Sequence, residues 1–120
     1  MKKIFLIPAL LATTTQALSA TPHLEKYYQQ QWCDEHKGVM EIVLKDFTRA
    51  DCMTSDNIIE FDFGHKWAES IGQSLHYSQQ MGKRAGIVLI VGPGDKPHIE
   101  ALHSTINKFN LPIDVWEVKE

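Results

Sequence analysis

A chain of 120 residues, about 100 of them beyond a leader-like segment, suits one domain with one modest core. It carries 12 basic and 15 acidic side chains; setting aside Lys2 and Lys3, which open a leader-like segment, the net charge becomes −5. That balance argues against a general nucleic-acid binder, which shows a clear basic excess, while leaving room for a local basic patch.

The first twenty residues have the three parts of a secretory signal peptide. Lys2 and Lys3 give the positive start, and residues 4–12 (IFLIPALLA) give the apolar stretch. That stretch is too short to span a bilayer as a helix, which takes ~20 apolar residues. Small and polar residues follow (TTTQALSA), with cleavage sites after Ser19 and Ala20. The alternative, a buried N-terminal helix, is disfavoured because no polar spacing interrupts the apolar run. The expectation is a leader over residues 1–20 and a single domain over 21–120, exported to the periplasm or secreted, with no stable membrane association after cleavage. In that oxidising setting Cys33 and Cys52 read first as a disulfide, closing a loop worth ~3 kcal/mol. A metal pair and a catalytic thiol are the alternatives; no CxxC or Cys-His spacing supports the former and nothing nearby marks the latter.

In chain order, residues 23–32 (HLEKYYQQQW) predict a helix, with Leu24, Tyr27, Tyr28 and Gln31 at helical spacing after Pro22. Residues 39–44 (VMEIVL), 47–53 (FTRADCM) and 58–63 (IIEFDF) predict three strands joined by turns at Lys45-Asp46 and at residues 54–57. In the third, Ile59, Phe61 and Phe63 fall on one face, Glu60 and Asp62 on the other. A long helix follows over residues 65–81, closed by Gly82. Residues 85–91 (AGIVLIV) read as a central strand covered on both faces. After a Gly92-Pro93-Gly94 turn, residues 96–109 predict a helix with Ile99, Leu102, Ile106 and Phe109 on one stripe. Residues 113–118 (IDVWEV) predict a last strand. The order is helix, three strands, helix, strand, helix, strand: an α/β chain with a mixed sheet, antiparallel through its short turns and parallel across its helix.

Polar side chains are densest between Arg49 and Tyr77. Arg49 and Asp51 share a strand face, as do Glu60 and Asp62, so pairing of those strands brings three carboxylates together. Like charges held close require protons or a cation, and an all-oxygen cluster suits Mg²⁺ or Mn²⁺. A plain solvated face explains the alternation equally well. On the next helix Lys66, Glu69, Gln73, Tyr77 and Gln80 form a stripe, with Trp67, Ile71 and Leu75 opposite.

These residues resemble the PD-(D/E)XK nuclease superfamily. Its αβββαβ restriction-endonuclease-like core matches the element order here, with an extra C-terminal α-β. Asp51 matches the acid of the second strand and Glu60 that of the third. The segment Gln73-Ser74-Leu75-His76-Tyr77 matches the QxxxY motif of the recombination-exonuclease branch. The block RADC…IIEFDF…KWAESIGQSLHY is also similar to a family of short exported bacterial proteins of unassigned function. The resemblance implies a metal-dependent nuclease acting on nucleic acid. Asp51 and Glu60 would be metal ligands with Asp62 as a third, and Gln73 and Tyr77 would support the site. Asp62 stands where the superfamily has lysine, so Lys66, one helical turn on, would supply the ammonium. The alternative is a non-catalytic binding or structural protein that keeps the fold. Val91 to Lys96 lacks phosphate-loop spacing, His65, His76, His98 and His103 make no standard metal spacing, and no GxSxG or HExxH is present.

Overall fold

The computed structural model describes residues 23–120; the expected leader, residues 1–20, lies outside the described residues. The elements run α1 (Glu25–Glu35), β1 (Val39–Val43), β2 (Arg49–Met53), β3 (Asn57–Phe63), a 3-10 turn (Gly64–Lys66), α2 (Trp67–Met81), β4 (Arg84–Val91), α3 (Lys96–Phe109) and β5 (Ile113–Lys119). The five strands form one mixed sheet in the order β1-β2-β3-β4-β5. The two neighbouring pairs on the β1 side are antiparallel and the two on the β5 side are parallel. The mixed α/β class expected from the sequence is thus the architecture found.

Alternation along β4 explains why the sheet is covered twice. Ala85, Ile87, Leu89 and Val91 pack with Leu102 and Ile106 of α3 and against Trp67, Ile71 and Leu75 of α2. On the opposite face Val88 joins Ile59 and Phe61 of β3 beneath Trp32 and Cys33 of α1. A strand buried on both faces must be apolar where it is buried, as β4 is from Ala85 to Val91. Helix α2 ends where expected, with Gly82 in the left-handed conformation at φ +65.

Cys33 and Cys52 are both fully buried and form a disulfide, with Cα atoms 6.0 Å apart. It ties the end of α1 to β2. Gly38 is required beside it: a Cβ there would lie 2.5 Å from the Cys52 sulfur and 2.7 Å from that of Cys33. No helix among the described residues is long and apolar enough to cross a membrane.

Three local readings shift. Helix α1 starts at Glu25 and buries Tyr28, Gln29, Trp32 and Cys33, whereas Leu24 and Tyr27 are exposed. The second strand begins at Arg49, because Phe47 belongs to the β1–β2 turn with φ +68. Phe109 of the α3 stripe is exposed, one residue before the left-handed cap Asn110. A larger irregularity lies in β1. Met40 and Cys52 pack on the α1 face, yet Ile42 and Ala50 pack with Ile58 and Tyr77 on the α2 face. Residues two apart normally share a face. Glu41, with φ +55, breaks the alternation, and the ladder skips the Glu41–Asp51 position.

Candidate functional site

That skipped position is where the acids gather. The β2–β3 ladder holds only at Cys52 with Ile59 and Met53 with Ile58. Past it, the Asp51 carboxylate accepts the Phe61 backbone N–H at 2.7 Å, in place of the carbonyl a regular ladder would offer. Glu60 and Asp62 point to the α2 side, paired in parallel with Ile87 and Leu89. They are 6% and 5% exposed, so the solvated-face reading of these acids does not hold.

Helix α2 closes the cluster. Ser70, Ser74 and Tyr77 are its buried residues, one stripe at positions i, i+4 and i+7. The two serines satisfy their hydroxyls on their own helix, Ser70 to the Trp67 carbonyl at 2.6 Å and Ser74 to the Ile71 carbonyl at 3.1 Å. Being small, they let the helix approach the sheet closely. Tyr77 and Asp51 both lie close enough to Glu60 to raise its charge cost or to have their own raised by it.

Burial sets the protonation of the group. It pushes Glu60 up to about 10, with the Asp51 and Asp62 charges adding to the effect. Asp51 rises to about 6 by burial, partly offset by the Phe61 N–H. Asp62 rises to about 7 by burial and the negative charge of Glu25, against the opposing pull of Lys66. The Tyr77 hydroxyl is raised by burial and by Glu60. Near neutral pH the cluster therefore holds protons that ordinary carboxylates would have released. Glu60 Oε2 and Asp62 Oδ2 are buried with no hydrogen-bond partner.

The structure brings Asp51, Glu60, Asp62 and Tyr77 together. Lys66 stands at the exposed start of α2 and acts on Asp62 and Glu25 through its field. Gln73 is exposed, on the flank of the buried stripe, so the QxxxY pair divides into one residue in the cluster and one at its rim. Glu25 is the member that sequence reasoning missed. Its charge reaches Asp51, Glu60 and Asp62, and the buried Gln29 holds it with an Nε2–H to Oε1 bond of 2.9 Å. Its only sequence signal was an acid in the first turn of a helix, which usually means no more than a favourable end charge.

As a donor set the cluster has the chemistry a hard divalent cation asks for: carboxylate oxygens, negative charge and two orphaned oxygens. Its side chains are not pre-set around one point, since no three Asp, Glu, His or Cys among the described residues are arranged to hold an ion. Uptake of a cation would displace protons and turn carboxylates toward a common centre. Comparisons with protein-family models, with curated proteins and with solved structures find no match to this chain.

Proposed function

We propose that this is an exported protein of nuclease-like fold whose buried acids take up Mg²⁺ or Mn²⁺ and support hydrolysis of a phosphodiester in nucleic acid. The observation that carries the reading is the convergence of Asp51 and Glu60 from neighbouring strands under Tyr77 of α2. It sits in a helix-strand-strand-strand-helix-strand order with the four strands side by side in sequence order. The order of elements along the chain is the one the resembled superfamily uses. Asp51 and Glu60 hold the ion, with Asp62 as third ligand. The ion, when bound, polarises the phosphate and lowers the pKa of its water. Lys66, exposed beside the acids, stabilises phosphate charge. Tyr77, buried beside Glu60, and Gln73 at the rim support the site. Export is supported by the buried disulfide, which persists in oxidising compartments.

A second reading, a non-catalytic exported binding or structural protein, is favoured by one observation. Asp62 occupies the lysine position, and it and Glu60 are nearly sealed. One experiment separates the two. Residues 21–120, disulfide intact, are incubated with plasmid, single-stranded DNA and RNA in Mg²⁺ or Mn²⁺, beside Asp51→Ala prepared identically. Metal-dependent cleavage by the wild type alone supports the enzyme. No cleavage, or equal cleavage by both, leaves the non-catalytic reading.

A further inference from the structure

Outside the acid cluster, packing accounts poorly for the tip of the β1–β2 hairpin. Phe47 is 87% exposed and sits at φ +68, a backbone conformation that suits glycine or asparagine and strains a bulky side chain. The turn is nonetheless held firmly. Leu44 N–H donates to the Thr48 carbonyl at 2.8 Å, Phe47 N–H to the Leu44 carbonyl at 3.0 Å, and Thr48 N–H to Asp46 Oδ1 at 3.1 Å. Asp46 is in turn fastened to α2, its Oδ2 2.6 Å from His76 Nε2 and its N–H donating to Gln80 Oε1 at 3.3 Å. The ring is thus held out into solvent on a braced support, with little burial in return. Strain of this sort persists where the surroundings over-determine it, and it concentrates at working positions.

The neighbours indicate what the ring meets. Lys45 and Arg49 flank Phe47 at two residues on either side, and both are exposed. Arg49 meets Glu41 only at 3.8 Å, with both side chains open to water, so its guanidinium stays available. Lys45 on the turn, Phe47 at its tip and Arg49 at the start of β2 make a basic-aromatic-basic set in an acidic chain, with Asp46 drawn aside toward His76 and Gln80 of α2. The turn also leads into β2, and Asp51 follows Phe47 by four residues, roughly 13 Å of extended chain.

We propose that the hairpin tip is a grip for single-stranded nucleic acid, in which Phe47 stacks on an unpaired base while Lys45 and Arg49 contact the flanking phosphates. An unpaired base offers its face to a projecting ring without the cost of unstacking a duplex step, which favours a single strand over a duplex. The proposal rests on the phosphodiesterase reading and gives it a substrate class.

The test measures binding and chemistry separately. Binding of a fluorescein-labelled 12-nucleotide single-stranded DNA to residues 21–120 is followed by anisotropy in EDTA, at several salt concentrations. Phe47→Asn should weaken it about fivefold or more, the scale of one base–aromatic stack. Its unfolding midpoint should stay or rise, because asparagine tolerates a positive φ. A residue needed only for folding would lower both. Lys45→Gln and Arg49→Gln should each flatten the salt slope by about 0.7. Wild-type protein that ignores the single strand, as a protein-docking tip would, overturns the grip. So does Phe47→Asn binding as tightly as wild type. Bis(p-nitrophenyl) phosphate is too short to reach from the acids to a tip four residues, roughly 13 Å of extended chain, away, so its hydrolysis in Mn²⁺ should survive Phe47→Asn. Phe47-dependent binding without hydrolysis by the wild type sinks the catalytic reading and keeps the grip; hydrolysis with Phe47-independent binding does the reverse.

Discussion

Raising the pH should weaken this fold, and Glu60 gives the size of the effect. In the unfolded chain Glu60 titrates near its ordinary 4.5, whereas burial beside Asp51 and Asp62 holds it protonated up to about 10. The native state binds the extra proton, so stability falls as pH rises. The Glu60 contribution is complete below the unfolded value and drains away between 4.5 and about 10. Each pH unit in that window costs up to about 1.4 kcal/mol, so the step from pH 5 to pH 8 removes about 3 kcal/mol after allowance for relaxation. The loss is large against a domain stability of about 5–15 kcal/mol. Asp51 and Asp62 add to it in the same direction up to their folded values of about 6 and about 7. Urea unfolding in EDTA at pH 5, 6, 7 and 8 reads it directly. Glu60→Gln keeps the shape of the protonated acid without titrating, so it should be the more stable protein at pH 8 and lose at least half of the slope. A wild-type stability that is level or rising from pH 5 to pH 8, or a Glu60→Gln variant with the full wild-type slope, would refute the assignment of buried protons.

Cys33→Ser with Cys52→Ser should lower stability by about 3 kcal/mol for a loop of sequence separation 19, read by urea unfolding; alkylation of the non-reduced protein should find no free thiol. Gly38→Ala, which places a methyl against both sulfurs, should cost about 1–3 kcal/mol in the same assay. Lys66→Ala should leave Mn²⁺ affinity unchanged and lower only turnover, while Asp62→Lys should raise turnover if the site is weakened by the missing lysine; plasmid cleavage rates beside metal titrations decide both. Intact mass of the exported form should correspond to a chain starting at or next to Thr21, and a chain retaining Met1 would end the export argument.

The parts of the fold visible in the sequence are those where one requirement dominates. An apolar run covered on two faces can only be a central strand, and a glycine after a helical pattern closes it, so β4 and the end of α2 were legible. The pairing of Cys33 with Cys52 was legible for a similar reason, since the chain has no other thiols. Helix α1 was harder, because its buried face is set by the disulfide. Cys33 fixes the rotation that puts Gln29 inside and leaves Tyr27 stacked on His23 at a centroid distance of 3.9 Å. The site was half legible. Alternation put Glu60 and Asp62 on one face, but it could not show that the face is sealed, which depends on Ser70 and Ser74 being small enough for α2 to close over it. Glu25 was invisible for want of any local pattern: it joins the acids only because α1 is anchored across the sheet. Phe47 read as strand from its composition, and a network through Asp46, His76 and Gln80, thirty or more residues on, made it a turn.

Whether Asp51, Glu60 and Asp62 form the proposed divalent-cation site can be read from crystals of residues 21–120 soaked in Mn²⁺ near pH 8, with diffraction recorded at the manganese edge. An anomalous peak is expected between β2 and β3 within ~2.0–2.5 Å of carboxylate oxygens of Asp51 and Glu60. That peak should be lost in Asp51→Ala crystals treated alike. No peak in the wild type, with Glu60 and Asp62 still sealed beneath α2, would contradict the cation site and leave a buried, protonated cluster with a purely structural role.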